Sequence, residues 1–282
     1  MLGLIIVSLG TFLEEITDSI GKDRVNKHQQ SPFTMAFLSL FWVTIFFSLI
    51  SLFRRDAFVF QISSLPTFIP RAFLEIAQLY VSTLAIVRVE RSTFSFIRTF
   101  TIPLLLLVDL ILGYVIGPLA MAGMAVLLLA LLLLLLNKGI KKTDIGLVIF
   151  STLNAVITIS LYKYDITHFN SVVAEQLIIY TLLLVSFSVL SLVKTKENPF
   201  KSLTKPICLI QSLAVGLGGV IISFGYGYGP ASVITAAKRA TAVFWSLLSG
   251  GWYFHEKKVL TRSLLAVLLL IGLSLLAIAS LN

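Results

Sequence analysis

The sequence has little of what metal proteins and nucleophilic enzymes use. It contains one cysteine and three histidines, and the histidines fall in different predicted loops: His28, His168 and His255. A lone Cys208 excludes an internal disulfide and a cysteine metal cluster, and the separated histidines offer no ligand spacing. No Ser-His or Cys-His arrangement occurs at usable spacing. We therefore expect no enzyme activity, no cofactor and no bound metal.

Charged residues are also scarce, at 12% of the chain, and most lie in short polar breaks between long apolar runs. Apolar residues make up 57%, and the mean hydropathy is +0.99, which is too high for a soluble domain. A membrane-spanning helix needs about 20 apolar residues. The runs predict an all-α integral membrane protein with ten such helices, at about 2–20, 33–53, 66–87, 92–112, 117–136, 144–162, 171–193, 206–225, 230–253 and 260–280.

The first predicted helix does not have the pattern of a secretory signal peptide. It lacks a basic start and carries three acidic residues in its second half, so we expect it to remain a helix of the mature protein. The net charge of +9 comes mainly from loops that flank the predicted helices rather than from one continuous face. This distribution favours membrane lipids as partners, and we expect no nucleic acid.

A weak internal repeat divides the chain into two halves. A shift of 139 residues places residues 79–117 over 218–256, so that one helix-turn-helix unit overlies another. We predict a first five-helix repeat at 1–137, a connecting loop at 138–143 and a second five-helix repeat at 144–282. Because five is odd, the two repeats must be inverted in the membrane, and inverted repeats place a substrate site between them near the midplane.

Four basic residues lie within predicted helices: Arg71, Arg98, Lys238 and Arg239. A charge within the bilayer costs a few kcal/mol or more, so such a residue normally faces a cavity or a partner. The repeat aligns Arg98 with the neighbourhood of Lys238 and Arg239, and pseudo-symmetry would gather these three around a central cavity. Like charges in a low-dielectric space repel each other, so we expect an anionic group beside them.

Polar residues at helical spacing accompany these charges. Glu75 lies one turn from Arg71 and can pair with it. Gln78 lies on the same helix face as Arg71 and Glu75, and Thr235 lies on the same face as Arg239. The first helix carries an acidic stripe of Glu14, Glu15 and Asp18. A purely structural interpretation stays open, in which the charges form buried ion pairs or extend to the membrane interface.

Two segments of the second half carry a recognisable pattern. The sequence is GYGYGPASVITAA at 225–237 and SLLSGGWYFHE at 246–256, and the last helix has Gly272 near its middle, while Gly10-Thr11 and Lys22 mark the first helix. This pattern resembles the EamA-type transporters of the drug/metabolite transporter superfamily over essentially the whole chain. The resemblance implies ten helices, two inverted repeats and transport activity. Gly113-Tyr114 stands where the first repeat of that family commonly has Glu, so no role is implied for Glu256.

The adjacent pair Lys238-Arg239 is similar to a Lys-Arg pair on the equivalent helix of triose-phosphate translocators, where it holds the substrate phosphate. The resemblance implies that this pair binds an anionic group and that Arg98 supports it from the other repeat. The predicted substrate-binding residues are Lys238, Arg239, Arg98, Glu75, Gln78 and Thr235. The predicted coupling or charge-compensating residues are Glu14, Glu15, Asp18 and Arg71.

We therefore expect a secondary transporter that moves a small polar metabolite by alternating access. The metabolite would be an organic anion, a phosphorylated compound or an amino acid, exchanged for a counter-substrate or coupled to a proton. Two alternatives stay open: an exporter of aromatic or cationic compounds, and a lipid-handling or scaffolding membrane protein without a solute pathway.

The expected location is the cell (inner) membrane, as a multi-pass protein, but two arguments about its orientation disagree. The odd-numbered predicted loops carry most of the Lys and Arg residues, and the positive-inside rule then places both termini outside. The family resemblance implies that both termini are in the cytoplasm.

Overall fold

The structure, a computed structural model, describes residues 2–89, 94, 97–98, 100–138, 145–253 and 259–279. Across these ranges the regular secondary structure is helical throughout, without a strand. The long helices are α1 (Leu2–Asn26), α2 (Pro32–Phe53), α3 (Leu65–Arg88), α4 (Thr101–Ile111), α5 (Pro118–Lys138), α6 (Ile145–His168), α7 (Val172–Lys194), α8 (Pro206–Gly225), α9 (Ala231–Tyr253) and α10 (Val259–Ala279). Single helical turns cover Arg55–Ala57, Ile62–Ser64, Pro199–Ser202 and Tyr226–Tyr228.

Several helices have the length and composition of membrane spans. These are α2, α6, α7 and the helical segment Pro206–Tyr228, which begins with α8. Large apolar side chains point outward from them; on α6, for example, Ile149, Phe150, Leu153 and Ile157 are each about half exposed. Polar side chains are buried instead, which is the arrangement that a lipid solvent favours. The prediction of an all-α membrane protein is confirmed at this level.

Some helix boundaries differ from the predicted ones. α1 continues to Asn26 and α6 continues to His168, so Arg24 and Lys163 lie within helices rather than in loops. Lys163 is buried and donates a hydrogen bond to the carbonyl oxygen of Tyr226 at 2.9 Å, and this partner allows the helix to continue past the charge. Part of the predicted helix at 92–112 and most of the loop at 138–143 lie outside the described residues.

The two sequence halves pack against each other. α1 contacts α8 and α9, α2 contacts α7 and α8, α3 contacts α6, and α5 contacts α10. α1 and α8 approach each other closely, and a Cβ added to Gly218 would lie 2.8 Å from the carbonyl oxygen of Gly10. Small residues permit such close packing between membrane helices.

We expect Gly218→Ala to lower the free energy of unfolding by about 1–3 kcal/mol, because the new methyl group would force α1 and α8 apart. Gly146→Ala is the matched control, since no described atom lies within 4 Å of a Cβ added at that helical position. Thermal unfolding of the purified variants in detergent checks the prediction. Equal unfolding temperatures for the two variants would show that the α1–α8 contact tolerates extra volume.

The loop after α7 helps to hold the start of α2. Glu197 accepts a hydrogen bond from the Ser31 backbone N–H at 2.9 Å and another from the Thr34 hydroxyl group. Ser31 is itself the N-cap of α2, and its side chain accepts from the Thr34 backbone N–H. Burial alone raises the pKa of Glu197, but these hydrogen bonds outweigh it and hold the pKa below its ordinary value.

A depressed pKa makes the stability contributed by Glu197 depend on pH. The contribution is complete above the unfolded-state pKa, about 4.3, and is lost as the pH falls through the lower folded-state pKa. We expect Glu197→Gln to reduce the unfolding temperature at about pH 7, and the difference from wild type to shrink in acid. Asp56→Asn changes an exposed carboxylate and serves as the control. A wild-type-to-variant difference that stays constant on acidification would contradict this account.

Candidate functional site

A cavity of about 200 Å³ lies among α1, α3, α6, α7, α8 and α9. Both halves of the sequence contribute to its wall, although the exterior of the same helices is largely apolar. Among the described residues, four basic and two acidic side chains line it: Arg71, Arg98, Lys238, Arg239, Glu14 and Glu75. This polar chamber inside an apolar helix assembly is the candidate functional site.

Most of the residues predicted from the sequence to form a site lie at this cavity. Those that line it are Lys238, Arg239, Arg98, Glu75, Gln78, Glu14 and Arg71. Thr235, Glu15 and Asp18 are not among its lining residues. Thr235 is buried just behind the wall, and its hydroxyl group lies 3.0 Å from that of Tyr226, which does line the cavity. Thr235 therefore positions a wall residue.

Lys238 and Glu14 form an ion pair that joins α9 to α1. The Lys238 Nζ atom lies 3.0 Å from Glu14 Oε1 and 2.9 Å from Oε2. Both side chains keep part of their surface accessible, at 21% for Lys238 and 30% for Glu14, so a ligand in the cavity can reach either group. The pair thus links the acidic stripe of the first half to the basic pair of the second.

Arg98 and Arg239 have a different environment. Within the described part of the chain no carboxylate forms a salt bridge with either guanidinium group, and the Nε atom of each is buried without a hydrogen-bond partner. The two groups lie near enough to repel each other. The Arg98 guanidinium group also lies 5.4 Å from the centre of the Phe94 ring. Glu14 is near enough to attract both cations but forms no salt bridge with either, so the two guanidinium groups still offer donors to an anion in the cavity.

Arg71 is the opposite case, because several groups hold it. It is 2% exposed and donates to Glu175, a residue of the second half that is fully buried. Its Nε atom lies 3.7 Å from Glu75 Oε1, and its Cζ atom lies 4.5 Å from the centre of the Tyr162 ring. The predicted pair with Glu75 is present, but Glu175 is the nearer partner. Glu175 is not among the residues predicted from the sequence, although two adjacent polar residues, Glu175 and Gln176, at the start of an apolar helix could have indicated it.

Gln78 is engaged by the protein itself. Its amide nitrogen donates to Ser82 at 2.9 Å and to Ser151 at 3.0 Å, and its oxygen accepts from Asn154 at 3.0 Å. These bonds use most of the hydrogen-bonding capacity of the amide. Gln78 thus tethers α3 to α6 at the edge of the cavity.

Tyrosine side chains that were not predicted from the sequence as site residues also line the cavity. Tyr162 donates to the carbonyl oxygen of Ser223 at 2.8 Å, and Gln176 donates to the Ser223 hydroxyl at 3.1 Å. Tyr226 follows a glycine-rich helix end, a position typical of a membrane-interface residue. The structure instead buries it, because the 3₁₀ turn directs its ring toward Thr235.

Comparison with known proteins gives the fold but no name for the site. No family model and no curated protein matches the sequence. A solved structure described as "Crystal structure of protein" is similar with a TM-score of 0.70 at 14% sequence identity, over 95% of this chain and 94% of that chain. The helical arrangement is therefore shared over nearly the full length of both chains, and the function has to be argued from the cavity.

Proposed function

We propose that the protein is a secondary transporter that moves a small organic anion, or a zwitterion such as an amino acid, by alternating access. Arg98 and Arg239 carry this proposal, because both face the cavity without a carboxylate partner among the described residues. Both side chains are partly buried, and the Nε atom of each is buried without a hydrogen-bond partner, an arrangement that carries a free-energy cost. A carboxylate or phosphate offsets that cost, since its oxygens match the donor geometry of a guanidinium group.

The architecture we propose is ten spanning helices in two inverted repeats, 1–137 and 144–282. Helix packing supports it. The repeat makes α6 the counterpart of α1 and α8 the counterpart of α3, so the contact between α1 and α8 corresponds to the contact between α6 and α3, and both contacts are present. The pairs α2 with α7, α4 with α9, and α5 with α10 each join a helix to its own counterpart. Two-fold pseudo-symmetry produces this pattern, and residues of both halves line the cavity, as in carriers built from inverted repeats.

The size and charge of the cavity favour a small anion over the alternatives. At about 200 Å³ it is smaller than the pockets of about 300–1,000 Å³ that hold drug-sized ligands. An exporter of cations needs acidic groups that dominate the wall, whereas Glu14 is paired with Lys238. A scaffold protein needs no cavity and would hold Arg98 and Arg239 in ion pairs.

The Lys238–Glu14 pair suggests how binding moves helices in this proposal. A substrate anion competes with Glu14 for Lys238, and its binding loosens the link between α1 and α9. Differential contacts of this kind are required for a ligand to shift a conformational equilibrium. Lipids surround the exterior of this multi-pass protein, which we assign to the cell membrane.

A ligand screen on the purified protein tests the proposal. A small organic anion or amino acid should raise the unfolding temperature, with about 2.7 kcal/mol of stabilisation at 100 times its Kd. Stabilisation by aromatic cations alone would favour the exporter. No stabilisation by any class of small solute would favour the scaffold.

A further inference from the structure

A cluster of buried polar groups lies directly behind the cavity, on the far side of Arg71. Its centre is formed by Asp165 and Glu175, which are both fully buried and whose carboxyl groups lie close enough to influence each other. Glu175 accepts from Arg71 through one oxygen and from Asn170 Nδ2 through the other, at 2.6 Å. Asp165 accepts from the Thr67 hydroxyl through Oδ1. None of these groups belongs to the residues that the sequence analysis predicted, apart from Arg71.

One acceptor atom of this cluster lacks a hydrogen-bond donor. Asp165 Oδ2 is buried, and no described donor reaches it. Two carboxylates close together in a low-dielectric interior repel each other strongly, so that such pairs hold one proton between them. A proton held by this pair at Asp165 Oδ2 satisfies the unpartnered oxygen and leaves the pair with a single negative charge, which Arg71 balances.

We infer that Asp165 and Glu175 form the binding site of a coupling proton for transport through the adjacent cavity. This inference rests on the proposed function and identifies its coupling ion and the residues that hold it. The proton binds as one H⁺ shared by the two carboxyl groups and leaves as H⁺, which changes the charge of the pair between −1 and −2. No covalent bond between heavy atoms forms or breaks.

Arg71 connects this proton to the cavity. Its guanidinium group lies between the buried pair on one side and Glu75 on the cavity wall on the other. When the proton leaves, the doubly negative pair attracts Arg71 more strongly and masks its charge. When the proton binds, more of the positive charge of Arg71 acts on the cavity, where it attracts an anion. Proton and anion therefore favour each other's binding, and by linkage the effect is reciprocal.

Other groups around the pair are compatible with this role. Among the described residues, the charged or titratable groups near the pair are Arg71 on α3 and Tyr162 and His168 on α6, while Glu75 lies on the other side of Arg71. His168 is exposed at the end of α6, so the pair lies between the protein surface and the cavity. A sodium ion fits less well, because Asn170 and Thr67 direct donors at the carboxylates rather than the oxygen ligands that hard cations require.

Infrared spectroscopy of the full-length protein in lipid nanodiscs tests the proton site. At neutral pH the wild type should show the C=O stretching band of a protonated carboxyl group, insensitive to replacing K⁺ by Na⁺. The band should be lost or shifted in Asp165→Asn and unchanged in Asp23→Asn, which alters an exposed carboxylate. Absence of the band from the wild type, its removal by Na⁺, or an unaltered band in folded Asp165→Asn would each overturn the inference. Absence of the band from the wild type, or its removal by Na⁺, overturns the inference even if the variant fails to fold.

Sulfate, which takes up no proton at neutral pH, tests the coupling. Its addition should move the pH midpoint of the wild-type carboxyl band upward, because a bound anion favours the bound proton. An unchanged midpoint would overturn the coupling. The separate ligand screen distinguishes the two failures: stabilisation by anions with no carboxyl band removes the proton site alone. A band that is present in a protein that no anion or amino acid stabilises contradicts the proposed transport function.

Discussion

Replacing Arg71 by leucine is expected to lower the free energy of unfolding by about 3–5 kcal/mol, the typical cost of removing one partner from a buried ion pair. Arg71 is 2% exposed and Glu175 is fully buried, so water cannot take over the lost interaction. Denaturation of the purified variant in detergent measures the change. The control is Lys27→Ala, which breaks the pair with Asp23; both side chains there are 58% exposed, and we expect a loss below about 1 kcal/mol.

A second variant separates the buried charge from simple loss of packing. The double variant Arg71→Leu/Glu175→Leu lacks both charges. We expect it to be more stable than Arg71→Leu alone, because no uncompensated carboxylate remains at position 175. A double variant less stable than Arg71→Leu would mean that shape, rather than an uncompensated carboxylate, causes the loss. Equal small effects of Arg71→Leu and Lys27→Ala would contradict the importance of this ion pair.

Arg239→Gln is expected to weaken the binding of the transported anion by about 30-fold or more, since losing a buried charge contact costs about 2–5 kcal/mol. The same substitution should change the stability of the ligand-free protein little, because it removes both repulsion with Arg98 and attraction to Glu14 and breaks no salt bridge among the described residues. Lower affinity together with undiminished stability distinguishes a binding residue from a structural one.

The measurement is the unfolding temperature with and without the stabilising anion. Arg98→Gln should behave like Arg239→Gln, and the double variant should lose less than the sum of the two, because both groups would contact one ligand. Arg54→Gln, at the exposed end of α2, is the control and should retain the wild-type response. Anion responses of wild-type size in both single variants would contradict our site.

The helical architecture and the location of the charged residues could be predicted from the sequence. The apolar runs alone specify the helices, because a lipid solvent requires every backbone group to be bonded within its own segment. The gathering of Arg98, Lys238 and Arg239 around one cavity could be predicted for a related reason. A charged side chain within a membrane can face only a cavity or a partner, so the position of the charge along its helix already indicates where the cavity lies.

The partners of these charges could not be predicted in the same way. Helical periodicity describes one face of one helix, and it identified Glu75 beside Arg71 but not Glu175, which comes from another helix 104 residues later in the sequence. Nor does it show whether a polar group is already satisfied. Gln78 was predicted to bind substrate, yet its amide bonds to Ser82, Ser151 and Asn154.

The central claim is that the protein is an anion carrier with Lys238 and Arg239 in its substrate site. The most direct test is a counterflow measurement in proteoliposomes loaded with the stabilising anion. Wild type and Lys27→Gln should accumulate the labelled anion, whereas Lys238→Gln and Arg239→Gln should do so at least about tenfold more slowly, the effect of losing roughly 1.4 kcal/mol or more of binding free energy. Transport by both variants at the wild-type rate would contradict this account.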